Sequence, residues 1–342
     1  MSYDLYIDQP QGDEATQLRL LVTKDDPLQP YLKLIHGAFD KKIKQRTPGA
    51  FNQFISHQQE QLKNLGINPP QLPDLTLLPP GSWFLQFTYT LAKPWMSKDD
   101  DPFYVAESVN PVRKDKVFKV PMMSAASWKG LLRWTAMHIR LAQKKGSLTA
   151  GQFARERFVQ TLLFGDEKGE EPGETKDFAA YLDTLKPEAR ADYERLLRDY
   201  YHIKPDEPLP HHSGRLLFYP TFFNLIDVEV INPHLRKTKA GTHPIYLECV
   251  PAGASGTFSL LYVPFDLIGK PENKINKQAL DDLQLVAEGL QAMFLTYGFS
   301  AKRTSGYGTA RDDIQGTVKT RAGEKPLAKL SQLVQEVKDV AF

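Results

Sequence analysis

The chain has 342 residues, 41% of them hydrophobic and 25% charged, with a formal net charge of +2, enough apolar material for one large or two ordinary domains with a normal core. A single cysteine, Cys249, excludes an internal disulfide framework and a cysteine-rich zinc site. No apolar run is long enough to cross a bilayer, and Met1-Ser-Tyr-Asp-Leu-Tyr-Ile-Asp8 lacks the basic-then-apolar pattern of a secretory signal, so no membrane contact and a cytoplasmic location are expected.

In chain order, apolar spacing predicts helices over 28–39 and 50–65. Residues 69–80 read Pro-Pro-Gln-Leu-Pro-Asp-Leu-Thr-Leu-Leu-Pro-Pro, a proline density that prevents regular helix and gives an extended connector. The expected division is an N-terminal extension at 1–80 and a main domain at 81–342. Trp83-Phe-Leu-Gln-Phe-Thr-Tyr-Thr-Leu91 alternates as a strand with one apolar face, and residues 99–110 follow as a polar loop. Phe118, Val120 and Met122 alternate in strand fashion. Ser124 and Ser127 then offer N-caps to a helix in which Trp128, Leu131, Leu132 and Met137 recur at helical spacing. An insertion is expected at about 165–213, opening on a polar stretch and continuing with short amphipathic helices at 177–185 and 187–201. Strands follow at 215–223, 226–231, 245–250 and 256–264, then a helix at 278–297, a strand at 309–314 and a C-terminal helix at 327–340. This is an α+β pattern. Its order suits a ferredoxin-like or RRM-like core with insertions, although periodicity alone leaves other α+β sheets open.

Two segments, far apart in the chain, set small residues beside basic ones: Val120-Pro-Met-Met-Ser-Ala-Ala-Ser-Trp-Lys-Gly-Leu-Leu-Arg133 and Gly298-Phe-Ser-Ala-Lys-Arg-Thr-Ser-Gly-Tyr-Gly308. Small residues let a backbone approach a ligand, and Lys or Arg supplies the counter-charge for phosphate. In the first, the loose N–H groups of a helix N-terminus would face an anion, with Lys129 and Arg133 on one side of the helix. The plainer reading is a capped amphipathic helix with solvated cations. In the second, Gly298 sits where a helix ends, and Lys302, Arg303, Ser305, Gly306, Tyr307 and Gly308 form a loop whose successive N–H groups suit an anion nest. The alternative is a simple turn before a strand. Neither segment has P-loop or dinucleotide-fingerprint spacing. Both suit an extended polyanion such as single-stranded RNA, with Tyr307 better placed than Trp128 to stack on a base.

Taken together, the segments resemble the RAMP superfamily of CRISPR-associated proteins. The resemblance rests on Pro121, Ala126, Ser127, Lys129, Gly130 and Arg133, then Gly298, Lys302, Arg303, Gly306, Tyr307 and Gly308. Asn110-Pro-Val112, Phe164-Gly165, Gly214-Arg-Leu-Leu-Phe-Tyr219, Asp227-Val-Glu-Val-Ile-Asn-Pro-His234 and His243-Pro-Ile-Tyr-Leu-Glu248 extend it over roughly 82–316. It implies the ferredoxin-like core, a backbone place in a type III effector complex, guide and target RNA as ligands, and other RAMP subunits as partners. It also implies RNA contact at Ser124, Ser127, Lys129, Arg133, Lys302, Arg303, Ser305, Gly306, Tyr307 and Gly308. RNA-cutting subunits of this kind carry an Asp just before the Asn-Pro-Val stretch, where this chain has Val109, so the resemblance supports binding over cleavage.

Other candidates compete. The nearest carboxylates, Asp99, Asp100 and Asp101, suit magnesium and would make the chain a metal-dependent endoribonuclease, although three acids in a loop are ordinarily just solvated. No other cofactor is implied. His211-His212 has no convincing further ligands for a metal and reads as a solvated loop. His36 lies ahead of the strand core, without the context of a catalytic histidine. The loop between His234 and His243 carries Arg236, Lys237 and Lys239 and suits phosphate or plain solvent. A solitary RNA-binding protein is the third reading, and the small net charge counts against it.

Overall fold

The computed structural model describes residues 48–97, 111–167, 178–204, 206–209, 211–231 and 245–342, together with the short pairing of Phe39–Asp40 (β1) and Gln45–Arg46 (β2). The elements that follow are α1 (Pro48–Asn64), β3 (Trp83–Leu91), β4 (Met122–Met123), α2 (Ala125–Met137), α3 (Ala150–Phe164), α4 (Phe178–Leu185) and α5 (Arg190–Tyr201). Then come β5 (Leu216–Phe218), β6 (Thr221–Phe222), β7 (Asp227–Ile231), β8 (Ile245–Cys249), β9 (Ser255–Tyr262), α6 (Glu272–Ala292), β10 (Ala310–Lys319), β11 (Glu324–Lys329) and α7 (Leu333–Glu336).

The apolar alternation of β3 decides the architecture. Trp83, Leu85, Phe87, Tyr89 and Leu91 are all buried on one face, whereas Thr88 between them is exposed. That face must be covered, and α2 and α6 cover it. The sheet is antiparallel with order β11-β10-β3-β9-β5. Within it, β3, α2, β5, β9, α6 and β10 follow one another as β-α-β-β-α-β, with the four strands in spatial order fourth, first, third, second. That is the ferredoxin-like arrangement, and β11 adds a fifth strand on the β10 side.

The helices lie close. A Cβ on Gly289 of α6 would come within 2.8 Å of Leu132 Cδ1 of α2. Beneath them Trp128, fully buried, packs against Phe258, Phe294, Phe299 and Tyr89 and donates from Nε1 to Thr221 Oγ1 at 3.0 Å. A second cluster joins the end of α2 to α3, α4 and α5 through Met137, Phe153, Leu182, Tyr193 and Leu197. Arg157 holds that cluster together by bonding to Glu167 at 2.6 Å and Asp183 at 2.7 Å. On the opposite sheet face, Leu75 packs on Phe84, Leu261 and Val263.

Several expectations meet a different outcome. The proline-rich stretch at 69–80 is laid across the sheet: Gln86 Nε2 donates to Pro70 O at 3.2 Å, and the Arg321 side chain donates to the Leu75, Thr76 and Leu78 carbonyls. Phe54, Ile55 and Leu62 of α1 belong to the same core as the sheet. The helix expected at 327–340 is the strand β11 followed by the single turn of α7, because Leu327 pairs with Gly316 and closes over the sheet edge. The strand expected at 215–223 divides into β5 and β6, and 118–122 contributes only the start of β4. Helix α3 had no counterpart in the sequence reading. The helix expected at 28–39, apart from its last residue Phe39 in β1, lies outside the described residues, as does His36.

Candidate functional site

Ser124 caps α2 by accepting from Ser127 N at 3.2 Å, and the two hydroxyls are 2.8 Å apart. This satisfies one of the helix's loose N–H groups. The basic loop at the other end of the chain begins where a π-helical turn, Met293–Tyr297, stops at Gly298, whose φ of 72° and 2.4 Å Cβ approach to Tyr307 O admit only glycine. Its return is fixed at Gly308. Phe299 N donates to Gly308 O at 2.9 Å, and Gly308 N donates to Pro94 O at 2.8 Å. The loop's near side is tied to the end of β3: Ala301 N donates to Met96 O at 2.8 Å and Met96 N to Ser300 Oγ at 2.8 Å. Between these ties, Lys302 takes a left-handed φ of 60° and leads into a 3-10 turn, Arg303–Ser305.

These constraints bring the two segments together. Ser127, Gly130 and Leu131 of α2 form one wall of an open groove of about 500 Å³, and Ser300, Ala301, Lys302 and Arg303 form the facing wall. Met122, Met123, Trp95 and Phe299 give it an apolar floor, and Arg113 stands at its side. Among the described residues its charged lining is Arg113, Lys302 and Arg303, with no carboxylate. Three cations around an apolar floor suit a ligand that is anionic along its backbone and flat elsewhere.

A model of the RAMP superfamily matches residues 102–311, well over half of the chain and inclusive of both walls. The chain belongs to the RAMP superfamily. Among solved structures, similarity extends to a chain of the Type III-B Cmr-beta complex bound to cognate target RNA, with 11% identity and a TM-score of 0.36, covering 91% of this chain and 80% of that one. A chain of a CRISPR RNA-guided surveillance complex in a pre-nicking state has 13% identity and a TM-score of 0.34, covering 69% and 78%. A chain of the Csm3-Csm4 subcomplex of the type III-A interference complex has 12% identity and a TM-score of 0.34, covering 76% and 97%. No curated protein matches.

In this RAMP chain the residues singled out from sequence divide into distinct groups. Ser127, Lys302 and Arg303 line the groove, and Ser124 supports it from the helix cap. Lys129 and Arg133 do share one side of α2, as their spacing requires, but at 100° per residue Lys129 lies roughly 200° round the helix from Ser127, and neither lines the groove. Arg133 instead donates to Asp166 O at 2.7 Å and Gly165 O at 3.1 Å, with its guanidinium over the Phe178 ring. Partial burial and the adjacent Arg133 charge hold the Lys129 pKa below its ordinary value, with Asp166 opposing.

The loop tip also departs from the anion-nest expectation. Ser305 N and Gly306 N are committed to the Lys302 and Arg303 carbonyls at 2.9 and 2.8 Å, and both residues are exposed outside the groove. Gly308 is a buried strut. Tyr307 donates its hydroxyl to Glu229 Oε1 of β7 at 3.1 Å. Burial and that carboxylate raise its phenol above the ordinary value. Its hydroxyl joins the loop to the β7–β8 hairpin, an engagement the stacking role did not anticipate.

His211 and His212 both meet Asp166, at 3.0 and 2.5 Å, away from the groove, and among the described residues no cluster of metal ligands occurs. Asp99, Asp100, Asp101, Val109, Asn110, His234, Arg236, Lys237, Lys239 and His243 lie outside the described residues. The sequence reading missed Arg113. It enters the groove because Arg113 O accepts from Met122 N at 3.0 Å, an antiparallel contact across a turn too irregular to show a period.

Proposed function

We propose that this chain is a non-catalytic backbone subunit of a type III CRISPR ribonucleoprotein, working in the cytoplasm and holding guide RNA in the groove between α2 and the 298–308 loop. One observation carries the proposal: two motifs some 170 residues apart converge on one groove lined, among the described residues, by Arg113, Lys302 and Arg303 and by no acid. Cations without local counter-charges, over an apolar floor, bind a single-stranded polyanion through its phosphates and leave the bases to the floor or to a complementary strand. Phosphate contacts carry no base information, so such a site holds any guide. A small net charge fits a subunit that shares its RNA with neighbouring RAMP chains. No described helix is long and apolar enough to cross a membrane. The role requires no cofactor.

The test is RNA affinity across salt for wild type and for Arg113→Ala with Lys302→Ala. The double variant is expected to weaken binding equally for unrelated RNA sequences. The slope of log K against log salt should fall by about 0.7 for each phosphate that is no longer neutralised. Unchanged affinity and slope would refute the groove as the RNA site.

A further inference from the structure

Among the described residues, eight arginines are committed within the fold. Arg140, Arg157, Arg190, Arg195 and Arg215 pair with carboxylates, and Arg133, Arg198 and Arg321 donate to backbone carbonyls. Arg303 is different. Among the described residues its guanidinium makes no ion pair, and its Nη1 is covered yet has no hydrogen-bond partner. A covered donor without an acceptor is uncommon and costly. What holds this guanidinium is an aromatic face: its Cζ lies 4.4 Å from the centroid of the Trp134 ring.

Trp134 is itself fixed. His138, one helical turn on, stacks on it at 5.0 Å and 6°. Tyr297 stands edge-on to both rings, at 5.5 and 5.2 Å, and its hydroxyl accepts from Gln143 Nε2 at 3.0 Å. The ring therefore forms a pedestal behind the groove-lining Arg303, whose N–H groups remain uncommitted among the described residues.

We infer that Trp134 is a positioning residue for the groove's RNA phosphate. Held over the indole, Arg303 keeps its guanidinium at the groove wall, where the N–H groups of its fork that are not covered can meet phosphate oxygens. The inference rests on the RNA reading of the groove given above. It separates Arg303 from Lys302, which sits on the same loop as a flexible point charge.

The test uses the full chain and a labelled single-stranded RNA in a double-mutant cycle. Arg303→Ala is expected to weaken binding by about 10- to 100-fold, the range for removing a charge-assisted hydrogen bond. Trp134→Ala is expected to lose several-fold and to lower the salt slope with it. The double variant should bind no worse than Arg303→Ala. Trp134→Phe, which keeps a ring face, should stay near wild type, and Arg303→Lys, which keeps charge without the fork, should not.

A second readout does not depend on RNA. The chain has four tryptophans; Trp83, Trp95 and Trp128 are fully buried, so Trp134 dominates quenching by acrylamide. Arg303→Ala should raise that quenching in the free protein, and RNA should alter the Trp134 emission in wild type. Losses that multiply in the double variant, or a Trp134→Ala chain with wild-type affinity and salt slope, would overturn the positioning role while leaving the RNA groove intact. Wild-type affinity in Arg303→Ala and also in the Arg113, Lys302 double variant would instead bring down the groove reading, and this inference with it.

Discussion

Gly130 stands six residues into the thirteen-residue helix α2, where glycine is a poor choice. Relative to alanine, it costs a helix interior about 0.8–1.0 kcal/mol. No atom lies within 4 Å of where its Cβ would be, so the fold itself gives no steric reason to omit the methyl. Gly130→Ala should therefore stabilise the protein by nearly that amount. For 342 residues with an unfolding entropy of about 2 cal/mol/K each, the melting temperature should rise by roughly 1 °C. Yet Gly130 lines the groove, and if an RNA backbone packs against it the methyl has to be displaced. An overpacked contact costs about 1–3 kcal/mol, or roughly five- to 150-fold in Kd. The expected variant is thus more stable and binds more weakly, a combination that general damage to the fold cannot produce. Gly289→Ala is the control. It gains the same helix propensity, but its Cβ would meet Leu132 Cδ1 at 2.8 Å in a closed core, so overpacking should leave it less stable than wild type. Thermal and urea denaturation give the stabilities, and fluorescence anisotropy gives the affinities. If Gly130→Ala is stabilised and binds RNA as wild type does, no ligand approaches that wall and the reasoning fails.

Gly308→Ala should destabilise more than Gly306→Ala, by urea denaturation. Both sites have positive φ, but a Cβ at 308 would fall 2.4 Å from Ser300 Cβ whereas the one at 306 meets nothing within 4 Å; equal losses would mean the loop is not clamped as described. Arg215→Ala leaves Asp282, whose side chain is 1% exposed, without the cation 2.7 Å away, and should cost about 3–5 kcal/mol of unfolding free energy. Asp266, although burial opposes its ionisation, is held below its ordinary value of 3.8 by hydrogen bonds and charge from Arg215. Its contribution is therefore full above about pH 4 and fades as pH falls further, so Asp266→Asn should flatten the acid limb of the stability profile, and an unchanged limb would refute this. Changing Asp99, Asp100 and Asp101 together to Ala should leave the products of magnesium-dependent target-RNA cleavage by the assembled complex intact, and loss of one specific product with assembly unchanged would promote the nuclease reading.

The β-α-β-β-α-β core was legible because its signals are periodic. The alternation of Trp83 to Leu91 and the helical spacing of Leu283, Val286, Leu290 and Phe294 survive in the structure. The two walls of the groove were legible because Gly298, Gly308 and the Ser124 cap are local solutions to backbone problems. Which way each cation points was not. Lys129 and Arg303 look equivalent as letters, but one lies on the far side of α2 and the other rests on Trp134. The commitment of Arg133 to Gly165 and Asp166 was not legible either, because those carbonyls are brought to it by tertiary packing. Strand β11 hid behind an apolar spacing shared by helix and strand, and Pro326, which disfavours a central strand, is accommodated at the sheet edge.

Residues 97 and 111–114 sit at the neck of a segment whose two ends the fold holds shut. Arg113 N donates to Ser97 O at 2.9 Å, and just inside, Lys114 and Glu248 form an ion pair at 2.5 Å with both side chains 1% exposed. Glu248 also accepts from Val112 N at 3.1 Å. These buried bonds close the neck on residues that belong to the described core. A change of length or charge between 97 and 111 would therefore meet anchor points that Ser97, Val112, Arg113 and Lys114 already fix from outside it.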